Sequence, residues 1–213
     1  MRNQLNAMLE SLSRELIEMA GLCESAIDRA MRAFAERDVE LAQAVVHGDL
    51  QINEKERVIE ALCLSIILHQ QPIAHDLRMV SAALKMITDL ERIGDHASDI
   101  AAMVTTLKFQ QFSSEHAQIQ AMAGEAAAML RQVIGAFIAA DPDTARKTFD
   151  NDDIIDARFT DIKQSLIMHI KAGDEADDAL DLFMISKYLE RIGDHACSIA
   201  GRVLCALDHG TAA

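Results

Sequence analysis

Apolar residues in the first stretch of the chain fall three and four positions apart: Leu5, Met8, Leu9, Leu12, Leu16, Met19 and Leu22. That spacing puts them on one stripe of an α-helix and predicts a helix from about Asn3 to Ala35. Asp38 is a suitable N-cap for a second helix reaching Gln70, where Pro72 interrupts the pattern. A third helix is expected from Ile73 to Lys108. The polar break Gln110 to Ser114 follows, with Ser113 or Ser114 as the cap of a fourth helix ending near Ala140. Asp141-Pro142 combines an N-cap with a proline at the first helical position and starts a fifth helix, to about Lys171. Gly173 stops it, and Asp174 opens a sixth that ends near Leu207. No alternating strand pattern and no Asn-Gly or Asp-Gly hairpin signal is present.

The octapeptide Leu90-Glu91-Arg92-Ile93-Gly94-Asp95-His96-Ala97 returns unchanged at Leu189 to Ala196. An identical repeat of that length marks an internal duplication. The flanks have drifted: Asp89 corresponds to Tyr188, and Asp99 to Ser198. The second and fifth helices also correspond if Asp49 is set against Asp152 and Asn53 against Asp156. The expected fold class is therefore all-α: two repeated antiparallel three-helix bundles, residues 1–110 and 111–213, set end to end or side by side. Short turns between helices require antiparallel neighbours.

Composition agrees with this. Half of the residues are hydrophobic, aromatics are 4%, tryptophan is absent and there are two prolines. Ala, Leu, Ile and Met fill helical cores, and Met79 and Met86 read as such filling. The net charge of −14 repels phosphate backbones, so nucleic acid is not an expected partner. The four cysteines, Cys23, Cys63, Cys197 and Cys205, form no CxxC pair and read as buried thiols of a reducing compartment. The N-terminus carries acids and lacks an apolar core of a signal sequence, and no uninterrupted apolar run approaches the roughly 18 residues of a membrane span. A cytoplasmic protein without membrane insertion is expected.

The chemistry sits in the octapeptide. Glu91 and Asp95 are four apart on one helical face, Asp99 extends the row, and Glu190 with Asp194 repeats the pair. Stacked like charges destabilise a helix by a few tenths of a kcal/mol unless a cation lies between them. All-oxygen donors suit Mg, Mn, Ca or oxidised iron. Gly94 and Gly193 sit inside the same helices, where glycine costs about 1 kcal/mol relative to alanine. Either another helix comes close there, or an ion cluster needs the room. A single Glu-x-x-x-Asp would be an ordinary solvated pair, with Arg92 pairing a neighbouring acid. Two identical copies, each with its glycine, favour metal or partner binding. His96 and His195 lie off the carboxylate row and fit packing or hydrogen bonding better than ligation. No motif of a nucleophilic, phosphate-loop or zinc-dependent enzyme is present. A di-iron oxidase would need Glu-x-x-His pairs, and here glycine stands three residues after each glutamate.

The run Gln70-Gln71-Pro72-Ile73-Ala74, then Asp76-Leu77-Arg78, then Asp89 to Asp95, with the second copy Leu189 to Asp194 and Asp49-x-x-Ile52-Asn53, resembles the PhoU family over nearly the whole chain. The resemblance implies two three-helix bundles with pseudo-twofold similarity. It implies metal (Mg, Mn, Fe or Zn) at Glu91, Asp95 and Asp99 in the first half and at Glu190 and Asp194 in the second. Asp49 and Asp152 would be further ligands from the neighbouring helices, and Ser198 would weaken the second site. It also implies a regulator and not an enzyme, restraining the phosphate-starvation response. Such a protein would join the ATPase subunit of the phosphate ABC transporter to a sensor histidine kinase, and a homodimer is expected. The alternative reading is a metal-dependent carboxylate bundle with a redox or storage role.

Overall fold

The computed structural model describes residues 2–107, 113–173 and 176–208. Six helices carry the described chain: α1 (Arg2–Glu36), α2 (Val39–Gln70), α3 (Ala74–Val104), α4 (Ser113–Ala139), α5 (Pro142–Ala172) and α6 (Ala176–Leu207). At 1.5 Å per residue the longest spans roughly 50 Å.

The punctuation works as local chemistry requires. The Asp38 carboxylate accepts the Leu41 N–H at 2.9 Å, and that of Asp141 accepts from both Asp143 and Thr144. Gly173 ends α5 in the left-handed region at φ 96°, its N–H donating to the His169 and Ile170 carbonyls. Two boundaries differ from expectation. Helix α3 ends at Val104, because the hydroxyls of Thr105 and Thr106 turn back onto the Ala102 and Met103 carbonyls. Ser113 and Ser114 both lie inside α4. The expected signals at Lys108, Gln110 to Phe112 and Asp174 fall outside the described residues, as does His209.

Helices α1, α2 and α3 pack on one another, as do α4, α5 and α6. The two bundles lie side by side, joined through α3 against α6 and α1 against α4, while α2 and α5 each touch only their own bundle. Helices α3 and α6 run antiparallel. Arg78 Nε donates to the Ala206 carbonyl at one end of the pair, and His195 meets Asp89 nearer its middle. The pattern at this seam is that of a pseudo-dyad: Asp89 bonds His195 Nδ1 at 3.0 Å, and its counterpart Tyr188 lies against His96 with ring centroids 5.5 Å apart. One core runs through both bundles, from Leu16, Met19 and Ile27 through Met86, Leu90 and Ile93 to Met122, Leu130 and Ile192. Met79 is partly buried beside it.

Helix α4 is, by length and mean hydropathy, long and apolar enough to cross a membrane, although it holds no unbroken apolar run. Its apolar residues Ile119, Met122, Ala126, Leu130 and Val133 are instead core, against α1, α5 and α6. The thiols divide: Cys23 and Cys63 are buried as expected, Cys197 is half-buried, and Cys205 is exposed near the end of α6.

Candidate functional site

The seat of each acidic row is the glycine. A Cβ built on Gly94 would stand 2.7 Å from Ile52 Cδ1 and 3.1 Å from Ile52 Cγ2; on Gly193 it would stand 2.8 Å from Asp152 Oδ1 and 3.2 Å from Ile155 Cδ1. Close approach of α2 to α3, and of α5 to α6, is therefore what these glycines allow. The approach brings Asp49 to the row of α3 and Asp152 to the row of α6.

In the first repeat Asp49, Glu91, Asp95 and Asp99 share one electrostatic neighbourhood. Burial first, then the charge of Asp95, holds Asp49 above the ordinary carboxylate range. The same two causes raise Glu91 and Asp99. Asp49 Oδ2 accepts from Asn53 at 2.9 Å, but Asp49 Oδ1 is buried with no hydrogen-bond partner. Glu56, raised by burial and then by Glu60, belongs to the same surface and feels Asp95 as well. Sequence reasoning passed over Glu56 and Glu60. The signal was available: with Asp49 and Asn53 they are spaced 4, 3 and 4 along α2, a single helical face. Arg92 is the local counter-charge, 3.4 Å from Glu91 and 2.9 Å from Asp95, and its side chain is exposed.

The second repeat has the same frame and a different content. Asp152 is raised by burial and by Asp156 and Asp194, and Asp194 by burial and Glu190. Asp152 Oδ1 is again buried without a partner. But Lys187 bonds Glu190 directly and lies 5.2 Å from the Phe159 ring centroid. In the register of the repeat, Phe159 stands where the first half has Glu56, Ser198 where it has Asp99, and Lys187 where it has Thr88. Relative to the first row, the second has lost two carboxylates, gained one in Asp156 where the first has Asn53, and gained an ammonium. Among the described residues, no three His, Cys, Asp or Glu side chains converge as they stand into a group that could hold a metal ion.

The histidines of the octapeptides lie at the seam, and His96 Nδ1 also stands 3.8 Å from Asp99 Oδ2 at the end of the first row. His195 binds Asp89, with Arg202 3.9 Å from the other oxygen. His96 is nearly buried between the His195 and Tyr188 rings; burial, then the nearby charge of His195 and Arg191, pushes it down to about 4. It is a neutral ring at physiological pH.

The PhoU domain family matches residues 16–104 and 119–203, one domain for each bundle. The phosphate-specific transport system accessory protein PhoU homolog of Pseudomonas aeruginosa is 33% identical over 203 residues, covering 94% of this chain and 84% of its own. The accessory protein PhoU of Escherichia coli is 30% identical over 92% of this chain and 82% of its own. The crystal structure of PhoU from P. aeruginosa superposes with a TM-score of 0.89 at 31% identity, over 96% of this chain and 99% of that one. The phosphate transport system regulatory protein PhoU from Streptococcus pneumoniae gives 0.90 at 25% identity, over 98% and 99%. Two matched repeats, full-length relatives and a shared six-helix architecture agree: the chain belongs to the PhoU family.

Proposed function

We propose that this chain is a cytoplasmic accessory regulator of phosphate uptake. In this reading it joins the ATPase subunit of a phosphate ABC transporter to a sensor histidine kinase and holds the phosphate-starvation regulon down when phosphate is plentiful. It acts by binding, without catalysis of its own, and as a homodimer. The observation that carries the reading is the double-domain match, with both octapeptides intact, to accessory proteins of phosphate-specific transport systems over most of each chain. A regulator of this kind needs differential affinity for two partner states, which a rigid bundle with two unlike faces supplies. The test is a phosphate-responsive reporter in cells lacking their own copy of the protein. Expression of this chain should silence the reporter at high phosphate, and the purified chain should retain both the ATPase subunit and the kinase. A reporter that stays on, with neither partner retained, would sink the reading.

The acidic rows are read as cation sites of unequal strength. The donors fit a hard divalent or trivalent ion: they are all oxygen, and a buried Asp49 oxygen has no other partner. Asp49, Glu91, Asp95 and Asp99 would hold it in the first repeat, displacing Arg92, whose exposed ion pairs are weak competitors. In the second, Asp152, Glu190 and Asp194 would hold it less well, because Lys187 already supplies the positive charge. Such an ion supplies charge neutralisation, which makes an acidic surface able to dock. Elemental analysis of untagged protein should find metal (Mg, Mn, Fe or Zn) lost in the Asp49→Asn/Asp95→Asn variant and largely kept in Glu190→Gln/Asp194→Asn. Equal losses in the two variants would refute the inequality, and no metal in the wild type would remove the cation altogether.

A further inference from the structure

We propose a second ligand site, separate from the acidic rows: the groove between α1 and α2 of the first repeat binds a small tetrahedral oxyanion, with Arg29 as its charged donor. The groove has a volume of about 430 Å³, within the range of small-molecule sites, and Ser25, Arg29, His47 and Gln51 supply its polar lining. No carboxylate lines it, in a chain with 34 acidic and 20 basic residues.

Among the described residues no acid pairs with Arg29, as with Arg14 and Arg191, whereas Arg32, Lys55, Arg92, Arg131, Arg146 and Arg158 have carboxylate partners. An arginine left open beside a hydroxyl and an amide, in a protein with acids to spare, presents a planar fork of donors suited to phosphate-like oxygens. His47 Nδ1 is held 2.7 Å from the Gln43 carbonyl, which fixes the ring.

The second repeat shows what a closed version looks like. In its register Gln132 replaces Arg29, Asn151 replaces Gly48 and Asp150 replaces His47. Asn151 Nδ2 donates to Gln132 Oε1 at 2.9 Å, and Gln132 Nε2 donates to the Thr144 carbonyl, so side-chain amides bridge the helices where the first repeat is open. Gly48 is not required by packing: a Cβ there would meet nothing within 4 Å. What it provides is an open wall. The neighbouring Asp49 serves the other face of α2, where Asn53 and Asp95 are its partners.

Isothermal titration of the chelator-treated full chain, at low ionic strength, tests the site independently of any metal. Inorganic phosphate and adenosine monophosphate are the probes: comparable binding of both identifies the free ion as sufficient, and preference for the nucleotide identifies a phosphomonoester ligand. Arg29→Gln and Gly48→Asn each import the second repeat's residue. Each should weaken binding about tenfold or more, the scale of a lost charge-assisted hydrogen bond. Circular dichroism melts check that both variants fold, and Gly48→Asn decides alone if Arg29→Gln does not, since its side chain enters open space. No saturable binding of either probe to the wild type would overturn the proposal, as would wild-type affinity in the folded variants.

Discussion

Gly94→Ala tests whether the acidic rows are seated by helix approach. The added methyl stands 2.7 Å from Ile52 Cδ1 and 3.1 Å from Ile52 Cγ2, and Ile52 is 2% exposed, so it has nowhere to swing. Overpacking of this kind costs about 1–3 kcal/mol. Alanine returns about 1 kcal/mol of helix propensity. A net loss of up to about 2 kcal/mol follows, and at about 2–4 °C per kcal/mol for a chain of this size it lowers Tm by up to roughly 8 °C. Gly124→Ala is the control: its Cβ meets nothing within 4 Å, so only the propensity gain applies and Tm should rise. Ile52→Val removes the Cδ1 atom and costs about 0.5–1.5 kcal/mol alone. In the double variant Gly94→Ala/Ile52→Val the loss should fall short of the sum by about 1 kcal/mol, because the nearest clash has gone. Denaturant melts of the four proteins measure all of this. A Gly94→Ala protein as stable as Gly124→Ala, or strictly additive with Ile52→Val, would refute close approach and return the glycine to the role of making room for an ion.

Three other outcomes are expected. His96 is held near 4 in the folded chain against the usual 6.5, so the unfolded chain binds the extra proton across that window. Stability should therefore fall as pH drops from 6.5 to 4, by up to about 3 kcal/mol, and a His96→Leu protein should lack that part of the decline in pH-dependent urea melts. Asp49 is shifted the other way, above its unfolded value, so its charge costs stability at neutral pH and the cost is relieved as pH falls through the folded value. Metal-free Asp49→Asn should be at least as stable as wild type at pH 7, by a few tenths of a kcal/mol, and the difference should vanish in acid. Asp141→Ala removes acceptors for Asp143 N, Thr144 N and Thr144 Oγ1 and should cost about 1–2 kcal/mol in thermal or denaturant melts.

The six helices were legible because each boundary carries its own chemistry: Asp38 and Asp141 as caps, Pro72 and Gly173 as stops. Register set Asp49 against Asp152, and the family resemblance placed them beside the rows on α3 and α6, where they stand. What the pattern could not show was the content of each face. Glu56 and Lys187 lie outside the octapeptides, one on a different helix, and only the packing of α2 on α3 and the fold of α6 over Phe159 bring them to the rows. The sequence favoured packing or hydrogen bonding for the histidines, but their use across the seam depends on an antiparallel α3–α6 contact between bundles whose arrangement, end to end or side by side, the sequence left open. Cys205 was taken for a buried thiol with the other three because no CxxC pair is present; its position near the end of α6 exposes it.

Duplication produced two copies of one frame, and the places where they differ separate frame from function. Ile52 and Ile155, Gly94 and Gly193, and the cap residues Asp38 and Asp141 are alike, and each fixes how helices meet. The differences fall on open faces and at the seam. The first repeat keeps Glu56 and Asp99 and leaves Arg29 unpaired; the second has Phe159, Ser198 and Lys187 on its row and ties Gln132 to Asn151. At the seam Asp89 takes a hydrogen-bonding partner in His195 while Tyr188, its counterpart, gives His96 an aromatic one. If both repeats bound the same ligands, nothing would favour removing charge from one set of faces and closing its groove. Lys187 sets one positive charge among Asp152, Asp156, Glu190 and Asp194, so the second row stays acidic but carries a built-in partial counter-charge. On the proposed function, the first face is the one whose charge would change with a bound ligand, and the second the steadier of the two. Under that proposal the two faces would divide an adaptor's work between one steady attachment and one that reports.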